Sequence, residues 1–143
     1  MLIDTSAWVE YYRPLPTQSQ ARHRNLLFKD LIDDHLDQDE LVYTSPTIVQ
    51  ELLQGPKTDT DWRRILRDID AMVFLWLNDQ MTMAKEAANI YRRCRKEGVT
   101  VRKSPDCLIA QVALYYDLPL LHNDRDFNQI ANVFPLKVVD LPS

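Results

Sequence analysis

Five carboxylates in this 143-residue chain stand where a parallel α/β sheet would bring them together. Asp4 ends the apolar run Met1-Leu2-Ile3, and Glu51 lies in a short helical stretch opened by Ser45-Pro46. Asp106 follows Ser104-Pro105 at the start of another helix, and Asp124 and Asp126 follow the run Leu118-Pro119-Leu120-Leu121. Each is at a predicted strand end or in the first turns of a predicted helix. Ligand sites of open α/β sheets form there, outside the carboxyl ends of the strands. Carboxylates about 5 Å apart repel by roughly 3 kcal/mol per pair at an effective dielectric near 20. Such a cluster must take up protons or bind a divalent cation. Mg²⁺ favours an octahedron of oxygen ligands and retains several waters, and water activated there can attack a phosphodiester. His23, His35 and His122 form no cluster, so no histidine base is expected.

Taken singly, each acid has a plainer reading. Asp4 could be only a helix N-cap, and Asp106 an acid favoured by the dipole of a first helical turn. Glu51 could be a solvated residue at the edge of an apolar face, and Asp124 and Asp126 a turn and a cap.

The elements that must position these acids follow from the apolar pattern. Strands are expected at Leu2-Ile3-Asp4, Leu41 to Thr44, Val73 to Trp76, Leu120 to His122 and Lys137 to Val139. Between them, helical spacing runs after Thr5-Ser6-Ala7, over Gln20 to Leu36, after Ser45-Pro46, and over Asp61 to Asp70 with Trp62, Ile65, Leu66 and Ile69 inward. Further helices are expected from Asn78-Asp79 to Lys96, from Ser104-Pro105 to about Tyr116, and over Asp126 to Ala131. Pro14 and Pro16 break the first helix, Gly55-Pro56 ends the third, and Gly98 closes the fifth. Strands alternating with helices imply a parallel sheet covered on both faces. The length suits one domain over residues 1–143.

Composition narrows the chemistry. The chain has only 2 glycines and neither G-x-G-x-x-G nor a Walker A loop, which argues against dinucleotide binding and P-loop chemistry. No run of about 18 apolar residues is present, so no membrane span is expected, and the N-terminus reads as a strand rather than a signal peptide. Cys94 and Cys107 match no metal or redox spacing and are expected to be reduced thiols of a cytoplasmic protein. The net charge is −4, but it is unevenly spread. Asp30, Asp33, Asp34, Asp37, Asp39 and Glu40 form an acidic run, and Arg92, Arg93, Arg95, Lys96, Arg102 and Lys103 a basic one. Arg102 and Lys103 directly precede Asp106 and are candidate phosphate ligands, which give affinity without sequence choice.

The segments LIDTSAW (Leu2 to Trp8), IVQELLQG (Ile48 to Gly55), SPDCLIAQVAL (Ser104 to Leu114) and LLHNDRDF (Leu121 to Phe127) resemble, in order and spacing, those of the PIN-domain nucleases, and closely the VapC-type toxins of toxin–antitoxin pairs. The resemblance spans the whole chain. It implies a three-layer α/β/α fold with a five-stranded parallel sheet and a carboxylate site for Mg²⁺ or Mn²⁺. Carried over by position, Asp4, Glu51, Asp106 and Asp124 are the catalytic acids. Asp4, Asp106 and Asp124 are metal ligands, and Asp126 is an accessory ligand or outer-shell acid. Ser6 matches a hydroxyl that supports the first aspartate or a metal-bound water. Many members have Thr two residues before Asp124, whereas this chain has His122, so no hydroxyl role is carried over there. The resemblance also implies an RNA substrate, a cognate antitoxin protein and a homodimer.

Two other acid-rich Mg²⁺ folds fit less well. A haloacid-dehalogenase phosphatase wants D-x-D after its first strand, and here Ser6 stands in the second acidic position. A receiver domain wants an acidic pair before its phosphorylated aspartate and a late lysine, which the spacing does not provide. Within the resembled family, the alternatives are an RNA-maturation nuclease without an antitoxin and a non-catalytic binding module.

Overall fold

Leu2 and Ile3 are both fully buried. Successive strand side chains point to opposite faces, so the strand they form, β1 (Leu2–Ile3), is covered on both sides, the condition of a parallel sheet between helices. The computed structural model describes residues 1–76 and 78–142. It places β1 between β2 (Tyr43–Thr44) and β4 (Leu120–Leu121), with β3 (Val73–Phe74) outside β2. All three pairings are parallel. The helices are α1 (Thr5–Tyr12), α2 (Ser19–Asp37), α3 (Pro46–Gln54), α4 (Asp59–Asp70), α5 (Gln80–Lys96), α6 (Ser104–Tyr115) and α7 (Arg125–Ala131). None among the described residues is long and apolar enough to cross a membrane.

The chain leaves β1 for β2 on one side and reaches β4 on the other, so the strand order reverses at β1. The carboxyl ends of β1 and β4 lie side by side, with the Asp4 amide donating to the Leu121 carbonyl at 2.9 Å. This is the switch point at which open α/β sheets hold ligands.

Local sequence explains most helix ends. The side chains of Asp4, Thr58, Asp79 and Asp124 cap α1, α4, α5 and α7. Pro46 and Pro105 sit in the first turns of α3 and α6, where no amide proton is missed. Gly98, at φ 78°, closes α5 in the left-handed conformation that suits glycine. The cap of α1 is Asp4, not the Thr5-Ser6-Ala7 stretch, and α6 is entered from Lys103 rather than Ser104.

The fold departs from expectation at the fifth strand. Lys137 to Val139 does lie beside β4, but as one isolated bridge between Leu120 and Val138, so among the described residues the sheet has four strands and not five. Two bonds flank that bridge, Leu120 N to the Lys137 carbonyl at 2.8 Å and Val139 N to the Leu120 carbonyl at 3.0 Å. The ladder does not run backward, because Leu118, the next residue on that edge, gives its amide proton to Ala113 in α6. It stops forward because the chain turns at His122, whose ring accepts from the Asp124 amide. Trp62 also differs: it is 41% exposed in the first turn of α4, whereas Ile65 and Ile69 are buried as expected.

Candidate metal centre

The helix-capping role of Asp4 fixes its carboxylate. Oδ2 accepts from both the Ser6 amide, at 2.8 Å, and the Ser6 hydroxyl. Oδ1 is buried and has no hydrogen-bond partner among the described residues. Burial raises the Asp4 pKa above the usual carboxylate value. The Ser6 bonds pull the other way, and the charge of Glu51 adds to the rise.

Asp106 sits in the first turn of α6 and is 5% exposed. Its Oδ2 is likewise buried without a partner. Burial first, then the charges of Asp4 and Asp124, push its pKa up to about 7.

Asp124, the cap of α7, has the opposite surroundings. Lys103 Nζ donates to Oδ2 at 2.8 Å, while Arg102 Nη2 at 2.9 Å and the Asp126 amide at 3.0 Å donate to Oδ1. Burial alone would raise its pKa, but these donors outweigh it and hold the carboxyl below the ordinary value.

Asp126 is fully buried and already spoken for. Its Oδ2 accepts from the Arg102 amide at 2.9 Å and its Oδ1 from Arg102 Nε at 3.1 Å. It therefore anchors the segment that leads into α6. Ligand atoms of Asp106, Asp124 and Asp126 all lie within 4.8 Å of one another, close enough to share one ion.

These groups meet at a cleft of about 320 Å³, whose lining includes Asp4, Ser6, Glu51, Lys103, Asp106 and Asp124. Asp126 and Arg102 do not line it, and Arg102 joins Asp126 to Asp124. Of the candidates named from sequence, the fold thus brings all the acids and Ser6 to one place. Arg102 and Lys103 prove to be ion-paired with Asp124 and Asp126 rather than free over the cleft. The arginines of α5 do not line the cleft, and two of them pack on aromatic rings, Arg93 on Phe134 and Arg95 on Tyr91.

His122, where many members carry Thr, accepts at Nδ1 from the Asp124 amide at 3.1 Å. It supplies the acceptor that positions the loop, and burial lowers its pKa, which favours the neutral ring needed for that role.

Glu10, Arg13 and Asn123 also line the cleft and are not among the site residues expected from sequence. Asn123 donates its amide to the Ser6 hydroxyl at 2.8 Å and Nδ2 to Glu10 Oε1 at 3.3 Å. Helical spacing held a clue, since Ser6, Glu10 and Arg13 fall on one face of the first helix at i, i+4 and i+7.

Two buried bare carboxylate oxygens beside further acids are costly unless something satisfies them. An all-oxygen donor set suits a hard divalent cation, so the residues fit such an ion. Fold and site together define a parallel α/β domain with a candidate hard-cation centre at its topological switch point. A family model described as PIN domain matches residues 1–133, and the chain belongs to that family. It is 34% identical over 137 residues to VapC ribonuclease Mb1587 of Mycobacterium bovis and to ribonuclease VapC11 of Mycobacterium tuberculosis, covering 96% of this chain and 96% of each relative. The fold is similar to that in the crystal structure of VapBC2 from Rickettsia felis bound to a promoter DNA fragment, with TM-score 0.68, 15% identity and 96% of both chains covered. It is also similar to FitAcB from Neisseria gonorrhoeae, with TM-score 0.66, 18% identity and 97% and 96% covered.

Proposed function

We propose that this chain is a Mg²⁺- or Mn²⁺-dependent endoribonuclease, the toxin of a toxin–antitoxin pair, acting in the cytoplasm as a homodimer. Asp4, Glu51, Asp106 and Asp124 are its catalytic carboxylates. The observation that carries the reading is the pair of buried, unpartnered oxygens, Asp4 Oδ1 and Asp106 Oδ2, in an acid-lined cleft at the switch point. Membership of the PIN domain family and ribonuclease relatives matched over nearly their full length support it.

When bound, the ion supplies neutralisation of phosphate charge and activation of water for attack at phosphorus. Asp4, Asp106 and Asp124 hold it, with Asp126 as an accessory acid. Ser6 fixes the orientation of Asp4, so that one oxygen is occupied and the other is left for the ion. Glu51, on α3, faces the same cleft and can orient water or substrate there. Lys103 and Arg102 neutralise Asp124 in the absence of the ion. With an ion held by Asp124, the Lys103 and Arg102 donors would be available to substrate phosphates, which makes them the RNA-binding cations of the site.

Purified protein incubated with a single-stranded RNA should cut it when Mn²⁺ or Mg²⁺ is present and stop in excess chelator. Asp4→Asn and Asp106→Asn should each lose activity by at least a hundredfold while keeping a cooperative melt. Full activity in both variants sinks the assignment. In a bacterial host the wild type should arrest growth and Asp4→Asn should not. RNA cleavage without growth arrest would favour a nuclease of RNA maturation.

A further inference from the structure

Of the charged residues lining the cleft, five are acidic, Asp4, Glu10, Glu51, Asp106 and Asp124, and two are basic, Lys103 and Arg13. Lys103 bonds Asp124, a candidate ligand of the ion. Arg13 is different. It pairs with Glu10, Nη1 to Oε1 at 3.2 Å, and its side chain is 49% exposed.

Glu10 is itself buried, 7% exposed, and held from two sides. Asn25 Nδ2 donates to Oε2 at 3.3 Å and to the Glu10 carbonyl at 2.6 Å, while Asn123 Nδ2 donates to Oε1 at 3.3 Å. Asn123 in turn donates to Ser6, whose hydroxyl is on Asp4. A continuous chain of contacts therefore links the Arg13 guanidinium to the Asp4 carboxylate. Backbone chemistry adds to this. Pro14 restricts the residue before it to extended conformations, and Arg13 indeed ends α1 at φ −61°, ψ 136°.

The location has a second property. Beyond the acid cleft lies a groove of about 520 Å³, and Arg13 lines both, as do Thr5, Val9 and Glu51. A polyanion leaving the acids in that direction must pass the guanidinium. Glu10 is buried while the Arg13 side chain is half exposed, so the guanidinium keeps part of its surface open to the groove. A guanidinium has five donors in a planar fork, and one carboxylate oxygen does not use them up.

We propose that Arg13 binds a phosphate of the substrate strand flanking the scissile bond, at the edge the acid cleft shares with the neighbouring groove, and that Glu10 is its positioning residue. The proposal rests on the nuclease reading above and adds a substrate contact to it. Its partner, Glu10, lies outside the candidate ligands, so Arg13 stays in place whether or not the ion is bound.

The test uses full-length protein and a 5′-labelled single-stranded RNA that the wild type cleaves with Mn²⁺. Arg13→Gln should raise KM about tenfold with little change in kcat, the mark of a contact made equally in ground and transition states. Arg13→Lys should recover part of that loss, and Arg67→Gln, on α4 away from the cleft, should match the wild type. Binding to the same RNA, measured in an Asp106→Asn background from 50 to 200 mM KCl, should lose about 0.7 from its log–log salt slope on adding Arg13→Gln. A fold defect would not move that slope by one phosphate contact. If the wild type cuts no RNA, the nuclease reading fails. If it cuts and Arg13→Gln leaves KM and the slope unchanged, or lowers kcat alone, only the Arg13 proposal is overturned.

Discussion

Ser6 gives both its amide and its hydroxyl to one oxygen of Asp4, Oδ2, and leaves Oδ1 bare in the buried cleft. The same hydroxyl accepts from the Asn123 amide of the loop after β4. One small side chain therefore orients the first acid and ties together the two strand ends that form the site.

Ser6→Ala should consequently damage the site more than a surface Ser→Ala change. It leaves the Asn123 amide without its acceptor, a loss of about 1–3 kcal/mol for a buried donor. It also frees the Asp4 carboxylate to rotate. Chemical melts should show that destabilisation, and RNA cleavage should fall about tenfold or more. Ser6→Thr keeps the hydroxyl and should retain most activity. Equal activity of Ser6→Ala and the wild type would show that Asp4 needs no orienting partner.

The Asp106 pKa of about 7 makes the metal-free fold sensitive to pH. Its folded value lies above the unfolded one, so the fold holds a proton the unfolded chain has released. That favours the fold fully below the unfolded value and is lost as pH rises through about 7. In chelator, the wild type should therefore be less stable at pH 8 than at pH 5 by a few kcal/mol at most. Asp106→Asn, which carries no charge at either pH, should melt higher than the wild type at pH 8 and lose that advantage at pH 5. Mn²⁺ should raise the wild-type midpoint more at pH 8 than at pH 5, because protons compete for the same oxygens and the ion binds only the folded state. An Asp106→Asn protein gaining as much from Mn²⁺ as the wild type would remove Asp106 from the ligand set.

Much of this site was legible because strand ends and helix caps leave local signatures. Asp4 after Leu2-Ile3, Asp124 after Leu120-Leu121, and Asp106 after Ser104-Pro105 are fixed by neighbours in sequence. What stayed hidden depends on contacts between distant segments. Nothing local announces that Arg102 bonds Asp126, 24 residues away, or that Asn123 reaches Glu10 across 113. Strand lengths were overread for a related reason. Apolar character continues past the paired residues, as at Val42, which is buried and whose carbonyl accepts from Val73 although the strand proper begins at Tyr43. The exposed Trp62 and Trp76, at 41% and 74%, show the same limit, since bulk and apolarity do not say which side of an element meets the core.

Asp126 and Asp124 should separate in their effects. Both Asp126 oxygens serve Arg102 inside the protein, where charge-assisted bonds are strong. Asp126→Asn keeps the shape but loses the charge and one acceptor, so it should destabilise by roughly 2–3 kcal/mol. Its activity loss should be partial and recover on lowering the temperature. Asp124→Asn should do the reverse, abolishing cleavage at all temperatures with a smaller change in the melt. Loss of all activity with an unchanged melt in Asp126→Asn would make Asp126 a direct ligand rather than an anchor.

The antitoxin reading has a physical consequence at the same oxygens. A partner that inserts a cationic side chain among Asp4, Asp106 and Asp124 satisfies the charge that the ion otherwise satisfies, since arginine matches carboxylates in geometry and charge. Ion and partner must then oppose one another, and linkage makes the effect reciprocal. Titrating the protein with a candidate antitoxin should give tighter binding in chelator than in saturating Mn²⁺, and the bound partner should weaken Mn²⁺ affinity by the same factor. Raising salt should slow association more than it speeds dissociation, because buried charge pairs are poorly screened. Asp4→Asn should bind the partner more weakly and lose most of the Mn²⁺ dependence. Partner affinity indifferent to Mn²⁺ in the wild type would place the inhibitor elsewhere on the surface, leaving the acids free in the complex.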